Sequence, residues 1–352
     1  MLFWGLLVSG IRANAVAVGA SGATTDEVIL VTGAAGQIGS ELVFALREKH
    51  GAQNVVASGR STPPSASLRA GGPWHTVDVL NRTHIESVFA QYPFTQVYHM
   101  AAILSGVGEQ KPALAWDVNM NGLINLLDVA KEPRASAGGM KIMVPSSIAA
   151  FGPDAPPSAP QDTPMHPTSM YGVTKVAGEL LSDYYASKFG LDIRGVRLPG
   201  IISAETLPGG GTTDYSVEIF YEAIKNPGKP YKCFLSADTK LPMMYMPDAL
   251  ESMIGLMAAD KSRFAWPHAT CYNVNGFVLT PAQLAAAIKQ HLPTFEITYE
   301  PDFRQAIADS WPDSMDDSAA RKEWDWNPIF GVEEMTTDML QKLQERHAKI
   351  GL

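Results

Sequence analysis

Val28-Ile29-Leu30-Val31-Thr32-Gly33-Ala34-Ala35-Gly36-Gln37-Ile38-Gly39 joins an unbroken apolar run to three glycines spaced three residues apart. Four apolar residues with no polar break read as a strand buried on both faces of a parallel sheet. Gly33 permits a tight turn, Gly36 lets the backbone approach a pyrophosphate, and Gly39 allows close packing of the following helix on the strand. That helix, expected over residues 40–49, points free amides and the positive end of its dipole at the phosphates.

The same alternation continues outward. Strands are expected over 54–58, 74–79, 96–100, 141–144 and 193–198, with helices over 83–91, 117–131 and 171–189. This spacing predicts right-handed crossovers and an α/β, Rossmann-type doubly wound parallel sheet. Beyond Pro199 the rhythm loosens, with a Gly-rich turn at 208–211, short strands at 233–235 and 272–274, and helices over 215–225, 247–257 and 280–290. Residues 28–200 are therefore expected to form the dinucleotide-binding domain. Residues 201–352 read mainly as a smaller α+β substrate-binding cap over the carboxyl edge of the sheet, where ligands bind in such folds.

Apolar residues make up 46% of the 352-residue chain and charged residues 18%, the balance of a globular protein with a well-filled core. A net charge of −9 with no run of Lys or Arg argues against nucleic acid or an anionic membrane as the main partner. Cys233 and Cys271 have no ligand-like spacing, so neither a disulfide scaffold nor a structural metal is expected. Residues 1–27 stand apart. Their apolar start is too short for stable membrane insertion, and the first acid is Asp26. An organelle transit peptide and an unstructured extension both fit.

A second motif carries reaction chemistry. Tyr171-Gly172-Val173-Thr174-Lys175 sets a phenol and an ammonium one helical turn apart on one face. A free phenol ionises near ~10 and is a weak base at neutral pH, but nearby positive charge favours the phenolate. Ser146 or Ser147, at the end of the preceding strand, can hold a substrate hydroxyl in line. Together with the Gly-rich turn, these residues read as hydride transfer on a nicotinamide cofactor.

The end of the second strand bears on which cofactor that is. A carboxylate is expected there for a ribose with a free 2′-OH, yet the chain reads Ser58-Gly59-Arg60. Arg60 would suit the 2′-phosphate of NADP. Alternatively, Ser58 bonds the ribose while Arg60 stacks on adenine or lies on the surface. Asp78 is placed to accept from the adenine amino group or to cap a helix.

These residues resemble the extended short-chain dehydrogenase/reductases. Within them, the segments at 144–152, 171–175, 197–203, 208–215, 241–245 and 310–314 are similar to the short-chain-type L-threonine 3-dehydrogenases, over about residues 28–340. The resemblance implies oxidation of the threonine Cβ hydroxyl with NAD as acceptor. By position, Tyr171 is the general base, Lys175 bonds the nicotinamide ribose and assists it, and Ser147 orients the hydroxyl. It implies cofactor contacts at Gly33, Gly36, Gln37, Ile38, Gly39, Ser58, Arg60, Asp78, Val79, Ala101, Ala102, Asn119, Tyr171, Lys175 and Leu198. Ser105, Ser147, Tyr171, Gly211, Thr212, Thr213 and Trp311 would surround L-threonine. The group has Asp where Gly59 stands, a departure that bears on NAD against NADP. It also implies a homodimer and, for a eukaryotic enzyme, a mitochondrial rather than a cytoplasmic location.

Two rivals share the fold. A nucleotide-sugar dehydratase would follow its serine with an Asp-Glu pair, where this chain has Ile148-Ala149, and an epimerase would need basic side chains in the cap for the diphosphate. A non-catalytic dinucleotide sensor would lose the Tyr or the Lys. His99, on a buried strand, reads as a satisfied core histidine.

Overall fold

The computed structural model describes residues 27–132, 139–207, 209–264 and 271–350. The expected transit peptide, apart from its last residue, and Pro208 of the Gly-rich turn lie outside the described residues.

The first strand, β1 (Ile29–Thr32), is followed by β2 (Val55–Gly59), β3 (Trp74–Thr76), β4 (Gln96–His99) and β5 (Lys141–Met143). They lie in the order β3-β2-β1-β4-β5, then Asp192–Leu198 and Cys271–Asn273, with every pair parallel. The strand order reverses between β1 and β4. At such a switch point the connections leave in opposite directions and open a crevice at the carboxyl ends of the strands. The alternating faces of β1 build two cores. Ile29 and Val31 pack with Leu42, Val43 and Leu46 of helix α1 (Gln37–His50), while Leu30 packs with Ile85, Leu126 and Leu127 on the other side.

Three expectations need correction. The strand expected over 74–79 ends at Thr76, because the chain turns at Asp78 and Leu80 to start the helix Arg82–Phe89. The helix expected from residue 117 starts at Pro112 and passes through a π-helical turn, Asp117–Asn121, before Gly122–Ala130. Residues 201–352 do not all stand over the sheet. Cys271–Asn273 pairs with Asp192–Leu198 as a strand of the main sheet, and the helix Met246–Ala258 packs on that sheet beside α1.

The cap has its own core, in which Tyr215, Phe220, Leu241, Met243, Leu284 and Met339 are buried. A small sheet of Phe277–Leu279, Leu241–Tyr245 and Gly200–Ile202 runs beneath it. Its last strand begins two residues after the main-sheet strand ends at Leu198, so the chain passes directly from floor to cap.

Candidate active site

The Gly-rich turn closes because its glycines have no side chains. Gly33 has φ +63°, and a Cβ there would stand 2.6 Å from the Ala101 amide nitrogen. A Cβ on Gly39 would stand 2.4 Å from the Gly33 carbonyl oxygen. Gly36 stands at the N-cap of helix α1 and has no side chain to cap it, which leaves the helix's first amides free to meet an anion.

The helix Met170–Phe189 carries the Tyr-Lys pair. Ser169 caps it by accepting from the Gly172 amide at 3.1 Å, and Gly190 ends it in the left-handed conformation. A Cβ on Gly172 would stand 2.1 Å from the Ala149 carbonyl oxygen, so this glycine lets the first turn lie against the loop after Ser147. Lys175 Nζ donates to the Pro145 carbonyl at 2.7 Å and lies 5.4 Å from the Tyr171 ring centroid. An ammonium has three donors, and this bond uses one of them.

The two serines have different surroundings. Ser146 is buried, and its hydroxyl donates to Glu179, which pairs with Arg197 at 2.8 Å. Ser147 lines the cavity, and its Oγ accepts from the Ala149 amide at 3.2 Å, leaving its own proton to donate. Ser146 lines the cavity too, but of the two hydroxyls Ser147's is the one not donated to a neighbouring carboxylate.

One cavity unites most of the expected site. Gln37 and Ile38 at the start of α1, Ala101, Ala102, Asn119 and Leu198 line it together with Ser147, Tyr171 and Lys175. Ser105, Gly211, Thr212, Thr213 and Trp311 close its cap side. Ser105 and Thr212 hydroxyls bond each other at 3.1 Å, and Asp214 accepts from the Gly210 and Gly211 amides at 2.7 and 2.8 Å. These bonds hold the loop after residue 208 against the helix Ser105–Gln110. Burial pushes the Asp214 carboxyl up, partly offset by those amides.

Other expected contacts sit differently. Ser58 is fully buried and donates to the Val31 carbonyl at 3.2 Å, which closes it off from a ribose. Asp78 accepts from the Leu80 amide at 3.0 Å and so shapes the turn before a helix, whose cap is Asn81. Val79 is buried, and its Cγ2 stands 2.8 Å from where a Cβ on Gly122 would be. Arg60 is exposed. Asn119 exchanges both bonds with Ile103, at 2.8 and 3.1 Å, and donates to Thr174 Oγ1 at 3.0 Å, so it ties the loop after β4 to the Tyr-Lys helix.

The profile of the NAD dependent epimerase/dehydratase family matches residues 29–268. The chain belongs to this family. An uncharacterised epimerase/dehydratase of Staphylococcus haemolyticus is 45% identical over 91% of this chain and 98% of its own length. The solved L-threonine dehydrogenase of Clostridium difficile is 48% identical, with a TM-score of 0.86 over 91% of this chain and 98% of that one. A monomeric L-threonine 3-dehydrogenase from a metagenome is 41% identical, with a TM-score of 0.85 over 91% and 99% of the two chains.

NAD is the cofactor of this family member, and the residues at the phosphate and nicotinamide ends of the site fit it. The glycine turn leaves its backbone bare, the amides of α1 are free, and the cavity runs from there to Lys175. His99 also lines this cavity. Its Nδ1 lies 3.0 Å from Thr32 Oγ1, while Nε2 is buried with no partner among the described residues. It is therefore only half satisfied, contrary to expectation. Burial, with Lys175 nearby, pushes it down to about 4, so the ring is neutral at neutral pH.

Sequence reasoning missed Glu179, Asp214 and Cys271, which also line the cavity. Glu179 follows Lys175 by four residues on one helix, a same-face spacing that was there to be read. Cys271 arrives on a strand from the far half of the chain, with no local signal.

Proposed function

We propose that this protein oxidises the Cβ hydroxyl of L-threonine to L-2-amino-3-oxobutyrate, with bound NAD⁺ accepting the hydride. The observation that carries this reading is that Ser147, Tyr171 and Lys175 line one cavity with the start of α1. Ser147 donates to the substrate hydroxyl oxygen and holds it in line. Tyr171 takes the hydroxyl proton as the general base, and Lys175 stabilises the negative charge on the phenolic oxygen. Pro145 fixes the ammonium through its carbonyl. Gly211, Thr212, Thr213, Ser105 and Trp311 limit the cap side to a small amino acid and exclude water. The resemblance to the solved L-threonine dehydrogenases supports the choice of substrate.

Reduction of NAD⁺ on adding L-threonine tests the reading directly. Tyr171→Phe is expected to lower kcat about 10²–10⁴-fold, as loss of a positioned general base does. Absence of turnover by the wild type, or full turnover by Tyr171→Phe, would overturn it.

We further propose a homodimer. Trp116, Val173, Leu180 and Tyr184 are large apolar residues left exposed, and the last three recur at helical spacing along Met170–Phe189. The proposed location is mitochondrial, supported by the acid-free stretch before Asp26. Whether residues 1–27 carry a fused reporter into the organelle tests this.

A further inference from the structure

The adenosine end of the site lacks the acid that a free ribose would need. β2 ends at Gly59, where an added side chain would be crowded. A Cβ on Gly59 would stand 3.0 and 3.2 Å from the Trp74 Cη2 and Cζ2 atoms, and 3.9 Å from Ala35 Cβ in the Gly-rich turn. The indole therefore crowds any side chain added at this position, beside the phosphate-binding turn. Ser58 cannot replace the missing acid, because its hydroxyl is buried on the Val31 carbonyl. Nor does Asp78 at the neighbouring strand end, which accepts from the Leu80 amide.

What stands there instead is positive. Arg60 follows Gly59 directly, is exposed, and has no carboxylate partner among the described residues. Ser61 and Thr62, also exposed, add hydroxyl donors next to it. In a chain of net charge −9, an unpaired guanidinium beside the phosphate-binding turn is a local exception. A planar guanidinium suits a phosphate dianion and gains little from a neutral 2′-hydroxyl.

We propose that Arg60 receives a 2′-phosphate, so that the site takes NADP⁺ as well as NAD⁺. This rests on reading the cavity as the dinucleotide site, and the test separates the two. Full-length protein is titrated calorimetrically with ADP-ribose and with 2′-phospho-ADP-ribose, neither of which carries a nicotinamide or needs L-threonine. The wild type is expected to bind the phosphorylated ligand at least as tightly as ADP-ribose. Arg60→Ala should weaken the phosphorylated ligand at least tenfold more than ADP-ribose, and Arg60→Lys should restore part of that loss. The phosphorylated ligand should also be the more salt-sensitive. Binding of ADP-ribose with the phosphorylated ligand more than tenfold weaker overturns the proposal alone, as does an equal loss of both in Arg60→Ala. Binding of neither overturns the dinucleotide site and the proposal with it.

Discussion

At the scale of single residues, the site depends as much on missing side chains as on present ones. Gly172 sits between the phenol and the ammonium, and its hydrogen faces the Ala149 carbonyl where a methyl group would stand at 2.1 Å. Gly172→Ala must therefore push the first turn of the helix away from the loop that follows Ser147. Tyr171 is on that turn, so a misplacement of about 1 Å is expected to cost on the order of 10²-fold in kcat, with thermal stability also reduced. Kinetics and unfolding of the variant check this, and wild-type kcat in Gly172→Ala would refute it. The YGVTK motif displayed its phenol and ammonium plainly. The reason for the glycine between them was not legible, because its neighbour, Ala149, comes from a different element.

At the scale of elements, α1 joins the dinucleotide turn to the cap. Glu41, in its first turns, accepts from the Ser203 hydroxyl just after the strand Gly200–Ile202. Burial pushes this carboxyl from 4.5 up to about 7, with Glu205 raising it further while the Ser203 bond, Lys342 and Arg346 pull it down. A carboxyl raised on folding binds its proton more tightly in the native state. The linked stability is fully present below about pH 4.5 and is lost as pH rises through about 7. Glu41→Gln keeps an acceptor for Ser203 and removes the charge. It is expected to be more stable than the wild type by roughly 1–3 kcal/mol at about pH 8, with little difference at about pH 5. Urea unfolding at the two pH values measures this, and an unchanged pH profile would count against it. The Tyr-Lys helix was readable to within a residue, and α1 was expected three residues late, from residue 40. The π-helical turn at Asp117–Asn121 was not: it holds Asn119, whose side-chain bonds go to Ile103 and Thr174 on other elements.

At the scale of the whole molecule, the doubly wound sheet was legible because its first strands are continuous apolar runs followed by regular helices. The cap was less so. Its short strands at 241–245, 277–279 and 297–299 draw their partners from far along the chain, and such pairings leave little local pattern. The proposed dimer belongs to this scale. Leu180 is 62% and Tyr184 53% exposed on the outer face of the Tyr-Lys helix. Leu180→Glu is expected to halve the mass measured by sedimentation while leaving the fold intact. A wild-type protein that already sediments as one chain would remove the dimer and leave those residues as plain surface.

The strand Cys271–Asn273 has a consequence for how the protein is made. A ribosome delivers residue 198 well before residue 271, so the nascent sheet waits with Asp192–Leu198 as a bare edge. An open edge is a template for pairing with another chain. The interval of synthesis between those two strands is thus a time of exposure for the newborn protein, and it closes before the helices Pro281–His291 and Val332–Ile350, which complete the cap, have been made.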